Sequence, residues 1–266
     1  MQIIRVGMVN APNKRTKGCE KAPSIILNTL RDMQKSTEDG KYIEFEKLNL
    51  EEIHVNINNA EEANYLIYEN SKEAFEKNFK TIFIGGDHSI SYSLCKAFSK
   101  TEKNPLIIIF DAHPDCMKPE HKEPSHEDWL RKLIEEGFNP KNIILISARN
   151  LWPGEFEYIR ENGILWIKMN VLRENIEDIC DIVMERARAS SGFYISLDID
   201  SVDPGFALGT GYLEPGGLSS NEIIYFVKRL KLLNNFKGAD IVEINPDLDI
   251  NNITVKLGAK LLAEMI

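Results

Sequence analysis

No uninterrupted apolar run of about 18 residues exists in the chain, so the usual signal of a membrane-crossing helix is missing. The opening stretch MQIIRVGMVNAPNKR lacks the basic-then-apolar order of a secretory signal. Together these absences predict a soluble, cytoplasmic protein with no membrane partner. Basic charge is also short, with 32 Lys and Arg against 41 Asp and Glu and a net charge of -9. Phosphate binding wants a basic face, so no nucleic-acid partner is expected, while a small cationic substrate is permitted. The scattered Cys19, Cys95, Cys116 and Cys180 form no C-x-x-C pair, which argues against a disulfide framework or a zinc knuckle and leaves reduced, packed thiols. Repeats, low-complexity tracts and long Pro/Gly/Ser linkers are absent, so one domain over residues 1–266 is the simplest organisation.

What is present is an alternation of short β-rich runs with helical stretches from end to end. That pattern predicts an α/β protein, a three-layer α/β/α arrangement around a mostly parallel eight-stranded sheet. Strands are expected near residues 3–9, 42–48, 81–84, 106–110, 142–146, 164–167, 193–198 and 239–243. Helices are expected near 22–34, 60–79, 89–99, 126–136, 153–161, 172–189, 219–234 and 252–265. The runs LIIIF and TIFIGG are continuously apolar, as strands covered on both faces should be. Two connections, 116–125 and 204–218, are longer than ordinary loops and follow strands rich in Asp, which points to function.

Three stretches carry the chemistry. In SLDIDSVDP, residues 196–204, Ser196, Asp198 and Asp200 share one face of an extended chain while Leu197 and Ile199 share the other. Buried carboxylates need a cation or a hydrogen-bonding partner, because leaving them uncompensated costs several kcal/mol. In IIIFDAHPD, residues 107–115, Asp111, His113 and Asp115 follow a buried strand, where open α/β sheets place their sites. In IGGDHSIS, residues 84–91, a strand ends in Gly85 and Gly86, and His88 enters a helix. Taken alone, a single His there is more often a structural or surface residue than a ligand, and the motif by itself is weak. With the other two stretches, four carboxylates and two imidazoles gather at strand ends, too many for one tetrahedral zinc and suited to two divalent ions.

These pieces, with GTGYLEPGGLSSNE and ADIVEINPDLD, resemble the ureohydrolases, the arginase and agmatinase family, over nearly the whole chain. The resemblance implies an arginase-like fold and a binuclear site. His88, Asp111, Asp115 and Asp198 would hold one ion, and Asp111, His113, Asp198 and Asp200 the other, with Asp111 and Asp198 bridging. The ions would be manganese by family habit, and water activated between them would attack the carbon of a small guanidino substrate, releasing urea and an amine. Asp115 would orient that water and pass its proton to the amine, Glu243 would grip the guanidinium by a two-pronged pairing, and His126 would shuttle protons. Family members are commonly homo-oligomers, trimers or hexamers.

Departures from the family pattern also matter. Residues Pro124 to Asp128 read equally well as a capped helix start, with Ser125 before the acids. Glu243 has a structural alternative as a salt bridge to a helix. The residues that grip the amino-acid end of arginine in arginases are replaced by Cys116-Met117-Lys118, although Lys118 or Arg149 could meet a substrate carboxylate. An agmatine-like or other guanidino substrate is therefore expected ahead of arginine. A formimino substrate, as in formiminoglutamase, and a non-catalytic metal-binding homologue are the alternatives. Asp203, before Pro204, falls outside the inward set and is expected to shape the turn.

Overall fold

The computed structural model describes residues 1–8, 10, 15–33, 37, 40, 42–77 and 79–266. In chain order the elements are β1 (Gln2–Val6), α1 (Ala22–Asp32), β2 (Asn49–Glu52), α2 (Ala60–Glu76), β3 (Thr81–Gly85), α3 (Ile90–Thr101), β4 (Pro105–Phe110), α4 (Trp129–Glu135), β5 (Ile143–Ile146), α5 (Pro153–Asn162), β6 (Leu165–Ile167), α6 (Met169–Glu174), α7 (Ile176–Ala189), β7 (Gly192–Asp198), α8 (Ser220–Lys231), β8 (Phe236–Val242) and α9 (Ile253–Met265). The strands form one sheet in the order β2-β1-β3-β8-β7-β4-β5-β6. Every neighbouring pair is parallel.

Alternation within the strands divides the core into two layers. Ile82, Ile84, Leu106, Ile108 and Phe110 pack with α1, α7, α8 and α9 on one face. Phe83, Ile107, Ile109 and Tyr194 pack with α2, α3 and α4 on the other. Because both faces are covered, these strands carry the continuous apolar runs that the sequence shows. The chain steps from β3 across the sheet to β4, and β7 and β8 later fill the gap between them. Four strand ends therefore meet where the winding changes direction, the position at which open parallel sheets form a crevice.

The expected elements recur with three corrections. The strand expected at 42–48 is displaced to β2, and Phe45–Lys47 is a 3-10 turn. The alternation around Ile43 and Phe45 does bury both side chains, but in the layer beneath α1. The edge strand itself reads NLEE, is exposed along its length and so has no apolar signal. The helix expected at 172–189 is broken into α6 and α7 at Asn175, whose extended backbone leaves the helix and whose side chain accepts the Asp178 N–H. The helix expected from 126 begins only at Trp129. The expected strand end at residue 9 and helix end at residue 34 lie outside the described residues.

Gly86 shows how tightly the β3 exit is packed. A Cβ placed there would stand 1.8 Å from the Met8 carbonyl oxygen, a backbone atom that cannot swing away. Gly86→Ala is expected to destabilise the fold by about 3 kcal/mol or more through overpacking. Urea unfolding measures this, and a midpoint unchanged from the parent would contradict it.

Candidate active site

The strand ends bring all six sequence-predicted ligands into one buried cluster. His88 follows β3, Asp111, His113 and Asp115 follow β4, and Asp198 and Asp200 stand at the end of β7. His88 Nδ1 lies 2.9 Å from Asp115 Oδ2, 3.0 Å from Asp111 Oδ2 and 3.2 Å from Asp198 Oδ2. Separations of about 3 Å are those of neighbouring donors around a single cation held at about 2.1 Å. His113 Nδ1 lies 3.0 Å from Asp200 Oδ2 and 3.6 Å from Asp111 Oδ1. Two donor sets result, His88/Asp111/Asp198 and Asp111/His113/Asp200, each able to hold a metal ion. The two oxygens of Asp111 are divided between them. Asp198 stands in the first set, its Oδ2 facing His88, and its Oδ1 accepts the Asp200 N–H at 2.8 Å.

Each carboxylate is aimed by its other contacts. Asp200 Oδ1 accepts the Ala112 N–H, which leaves Oδ2 for His113. Asp111 Oδ1 accepts the His113 N–H at 2.7 Å. Asp115 Oδ2 accepts the indole N–H of Trp129 at 2.8 Å. Asp115 and Glu243 hold positive φ angles of 50° and 62°, strain of about 1–3 kcal/mol each that functional sites commonly retain. His88 Nδ1 and Asp111 Oδ2 are buried without any hydrogen-bond partner of proper geometry. Buried polar atoms are rarely left so, and the nitrogen and oxygen donors present are those that divalent ions take. The residues fit a metal on both counts.

Without an ion, the cluster must hold protons. Burial, then the charges of Asp200 and Asp111, push Asp198 well above the carboxylate range. Burial, then Asp111, pushes Asp115 up to about 8. Burial alone would lower His88 and His113, but the facing carboxylates outweigh it and raise both. Asp111 is held low, because its bonds to the two histidines outweigh burial. An Asp raised on folding favours the fold below its ordinary pKa and loses that contribution as pH rises through its folded value. The two raised histidines act in the same sense. Chelated protein is therefore expected to lose thermal stability between about pH 4 and 8, while the Tm gain on adding Mn²⁺ widens over that window, since ligands must shed protons to bind. A Tm gain independent of pH would contradict this.

The cluster forms the floor of a cavity of about 180 Å³ whose walls include Arg15, Met117, His126, Glu127, Asn150, Trp152, Tyr212, Glu214 and Glu243. A larger surface groove of about 610 Å³ over α1 and β2 carries none of the clustered groups. Glu243 is 2% exposed, its Oε1 accepts the His88 N–H at 2.8 Å, and Cys19 Sγ lies 3.8 Å from its Oε2. Among the described residues its partners are the His88 N–H and the Cys19 thiol, and no helix residue forms the expected salt bridge with it. Burial, then the charge of Asp87, raises its pKa well above the ordinary range.

His126 Nε2 lies 3.1 Å from the Tyr212 hydroxyl, and its Nδ1 is buried without a hydrogen-bond partner. Burial lowers its pKa, so the ring is neutral at pH 7 and open to a proton. The segment before it is a turn rather than a helix cap: Ser125 donates its N–H to Asp128, and its hydroxyl accepts the Glu127 N–H.

Arg149 corrects an expectation. Its guanidinium is spent on the backbone carbonyls of Ser147, Asp200, Ser201 and Glu214, where it braces the strand exits instead of facing substrate. Lys118 is exposed and outside the cavity wall. Asp203 shapes its turn as expected, accepting the N–H groups of Gly205 and Gly216. All four cysteines are buried and free.

Sequence reasoning passed over Trp129, Tyr212, Ser196 and Asp240. Ser196 was visible on the inward face of its strand but is not a ligand type. Asp240, a carboxylate within an apolar strand, repeats the signal that singled out Asp198.

A parallel sheet with carboxylates and imidazoles gathered at its carboxyl end defines an α/β protein equipped for divalent-cation chemistry. The arginase family model matches residues 2–266, and the chain belongs to that family. Arginase-family ureohydrolases are metal-dependent hydrolases acting on guanidino and amidino C–N bonds. An arginase of Staphylococcus aureus (strain COL) is 28% identical over 97% of this chain and 95% of its own length. An agmatinase of Bacillus subtilis (strain 168) is 33% identical over 76% of this chain and 68% of its own. The crystal structure of formimidoylglutamase from Bacillus subtilis shares the fold, with a TM-score of 0.91 at 24% identity, covering 99% of this chain and 85% of that one.

Proposed function

We propose that the chain is a single ureohydrolase domain that cleaves the C–N bond of a guanidino compound, agmatine-like ahead of arginine, to give urea and an amine. The observation that carries this reading is Glu243: a buried carboxylate that makes no ion pair with a described residue, in the wall of the cavity whose floor is the donor cluster. A guanidinium supplies the missing charge, and its paired N–H groups match a carboxylate edge.

His88, Asp111, Asp115 and Asp198 would hold one divalent ion, and Asp111, His113, Asp198 and Asp200 the other. Bound there, two such ions, manganese by family resemblance, would lower the pKa of a shared water towards neutrality. Asp115, fixed by the Trp129 indole, orients that water and hands a proton to the departing amine. Glu243 holds the guanidinium with its carbon towards the floor, replacing the water that would otherwise solvate it. His126, neutral and beside Tyr212, carries protons between the cavity and solvent.

The cavity wall favours a cationic or uncharged tail. Glu127 and Glu214 line it, Glu214 Oε1 lying 3.6 Å from His113 Nε2, and neither Arg149 nor Lys118 faces inward. One observation supports a carboxylate tail as second reading: Arg15 also lines the wall, its guanidinium 4.7 Å over the Tyr212 ring. Urea release from agmatine, guanidinobutyrate and arginine with added Mn²⁺ ranks these, and formamide release from a formimino compound tests that alternative. Agmatine is expected to give the highest kcat/KM. No turnover of any of these by ion-replete protein would sink the hydrolase reading. A cytoplasmic homo-oligomer, trimer or hexamer, belongs to the same proposal and is checked by light scattering.

A further inference from the structure

We propose that Asp240, acting through Ser196, selects the tautomer of His88 and so decides which ring nitrogen is offered to an ion. This rests on the reading of His88 as a ligand and makes Asp240 and Ser196 positioning residues.

Asp240 on β8 is the direct cross-strand partner of Ser196 on β7. His88 Nε2 lies 2.9 Å from Ser196 Oγ, which lies 2.9 Å from Asp240 Oδ1. Ser91 Oγ donates to Asp240 Oδ2 at 3.0 Å. Ser91, Ser196 and Asp240 are 0% exposed and His88 is 1% exposed, so bulk solvent does not reach these groups.

Counting protons determines the wiring. A serine hydroxyl has one proton to give, and an ionised carboxylate has none. Asp240 takes the protons of Ser196 and Ser91, because its ionised oxygens stand 2.9 and 3.0 Å from the two hydroxyls while the hydroxyls are 3.3 Å from each other. Ser196 is then left with lone pairs towards His88 and can only accept, so Nε2 must carry the imidazole proton. A neutral imidazole has one N–H, and Nδ1 is therefore bare. That nitrogen points at three carboxylate oxygens within 3.2 Å, so without an ion a second proton fills the gap, and an entering ion displaces that proton while Nε2 keeps its own. The reverse wiring, with the proton on Nδ1, would draw the Ser196 proton to Nε2 and take the Ser196 donor away from the buried Asp240 Oδ1. Asp240 thus holds the donor set ready for an ion from behind, without touching it.

The test compares the full-length protein with Asp240→Asn, Ser196→Ala and the double variant. After chelation each is titrated with Mn²⁺ by calorimetry, and the His88 ring nitrogens are followed by ¹⁵N NMR in the Zn²⁺-loaded protein. In Asp240→Asn the new amide can donate to Ser196, which frees the serine proton for Nε2 and disfavours a bare Nδ1. Each single variant is expected to weaken the ion bound with His88 by about 10–100-fold, leaving the ion bound with His113 within about threefold. The double variant should lose no more than the weaker single one, because the two residues act in series. The Nε2–H resonance of the parent should exchange faster in both singles. Parent-like affinity at both ions in a folded Asp240→Asn protein would overturn the proposal, as would additive losses in the double variant. If Asp240→Asn does not fold, Ser196→Ala decides on the same readouts. Failure of the parent itself to bind an ion through His88 would instead remove the reading on which the relay rests.

Discussion

Asp198→Asn is expected to abolish hydrolysis and the retention of at least one ion. The substitution takes a full negative charge from a donor set whose oxygen lies 3.2 Å from His88 Nδ1. Breaking a buried charge pairing costs about 3–5 kcal/mol, which weakens binding by about 10²–10⁴-fold. The chelated variant should behave oppositely. Burial and two neighbouring acids already disfavour ionised Asp198, so its neutral replacement relieves repulsion. Its Tm without ions should equal or exceed that of the parent, while the Tm gain on adding Mn²⁺ is lost. Elemental analysis and a pair of melting curves suffice, and parent-like ion content in the variant would refute the ligand assignment.

Glu243→Ala should also abolish activity but keep the ions, because Glu243 contacts the donor cluster only through the His88 backbone N–H. Two charge-assisted hydrogen bonds to a guanidinium contribute about 3–6 kcal/mol, or about 10²–10⁴-fold in kcat/KM. Glu243→Gln separates charge from scaffold, since its amide oxygen can still accept the His88 N–H. It should retain the parent fold and ion content and still lose most of kcat/KM. An active Glu243→Ala protein would remove the substrate role. These two variants divide the site: one loses ions and chemistry together, the other chemistry alone.

Much of the fold was legible because its signals are local. Continuous apolar runs marked the central strands β3, β4 and β7, and the alternation with amphipathic helices predicted the layered sheet. The edge strand escaped detection because it has no face to bury, so its NLEE sequence carries no pattern. The break at Asn175 escaped because a single extended residue interrupts an otherwise helical run of about five turns. At the site, ligand residue types and spacing were readable because two-residue periodicity in a strand puts alternate side chains on one face. Arg149 shows the limit. A lone arginine near a motif cannot reveal whether it faces substrate or the backbone, and here the carbonyls of two loops claim it.

The sequence by itself determined the layered fold class, the six candidate ligands and their place at strand ends, since each follows from short-range periodicity and from the cost of burying charge. Only the tertiary structure decided how the atoms are shared. It splits Asp111 between two donor sets, puts Glu243 on the backbone N–H of His88 from 155 residues away, and sets Asp240 behind Ser196 from 44 residues away. Such contacts join segments that meet only once the sheet has ordered its strands, and no local pattern encodes that meeting.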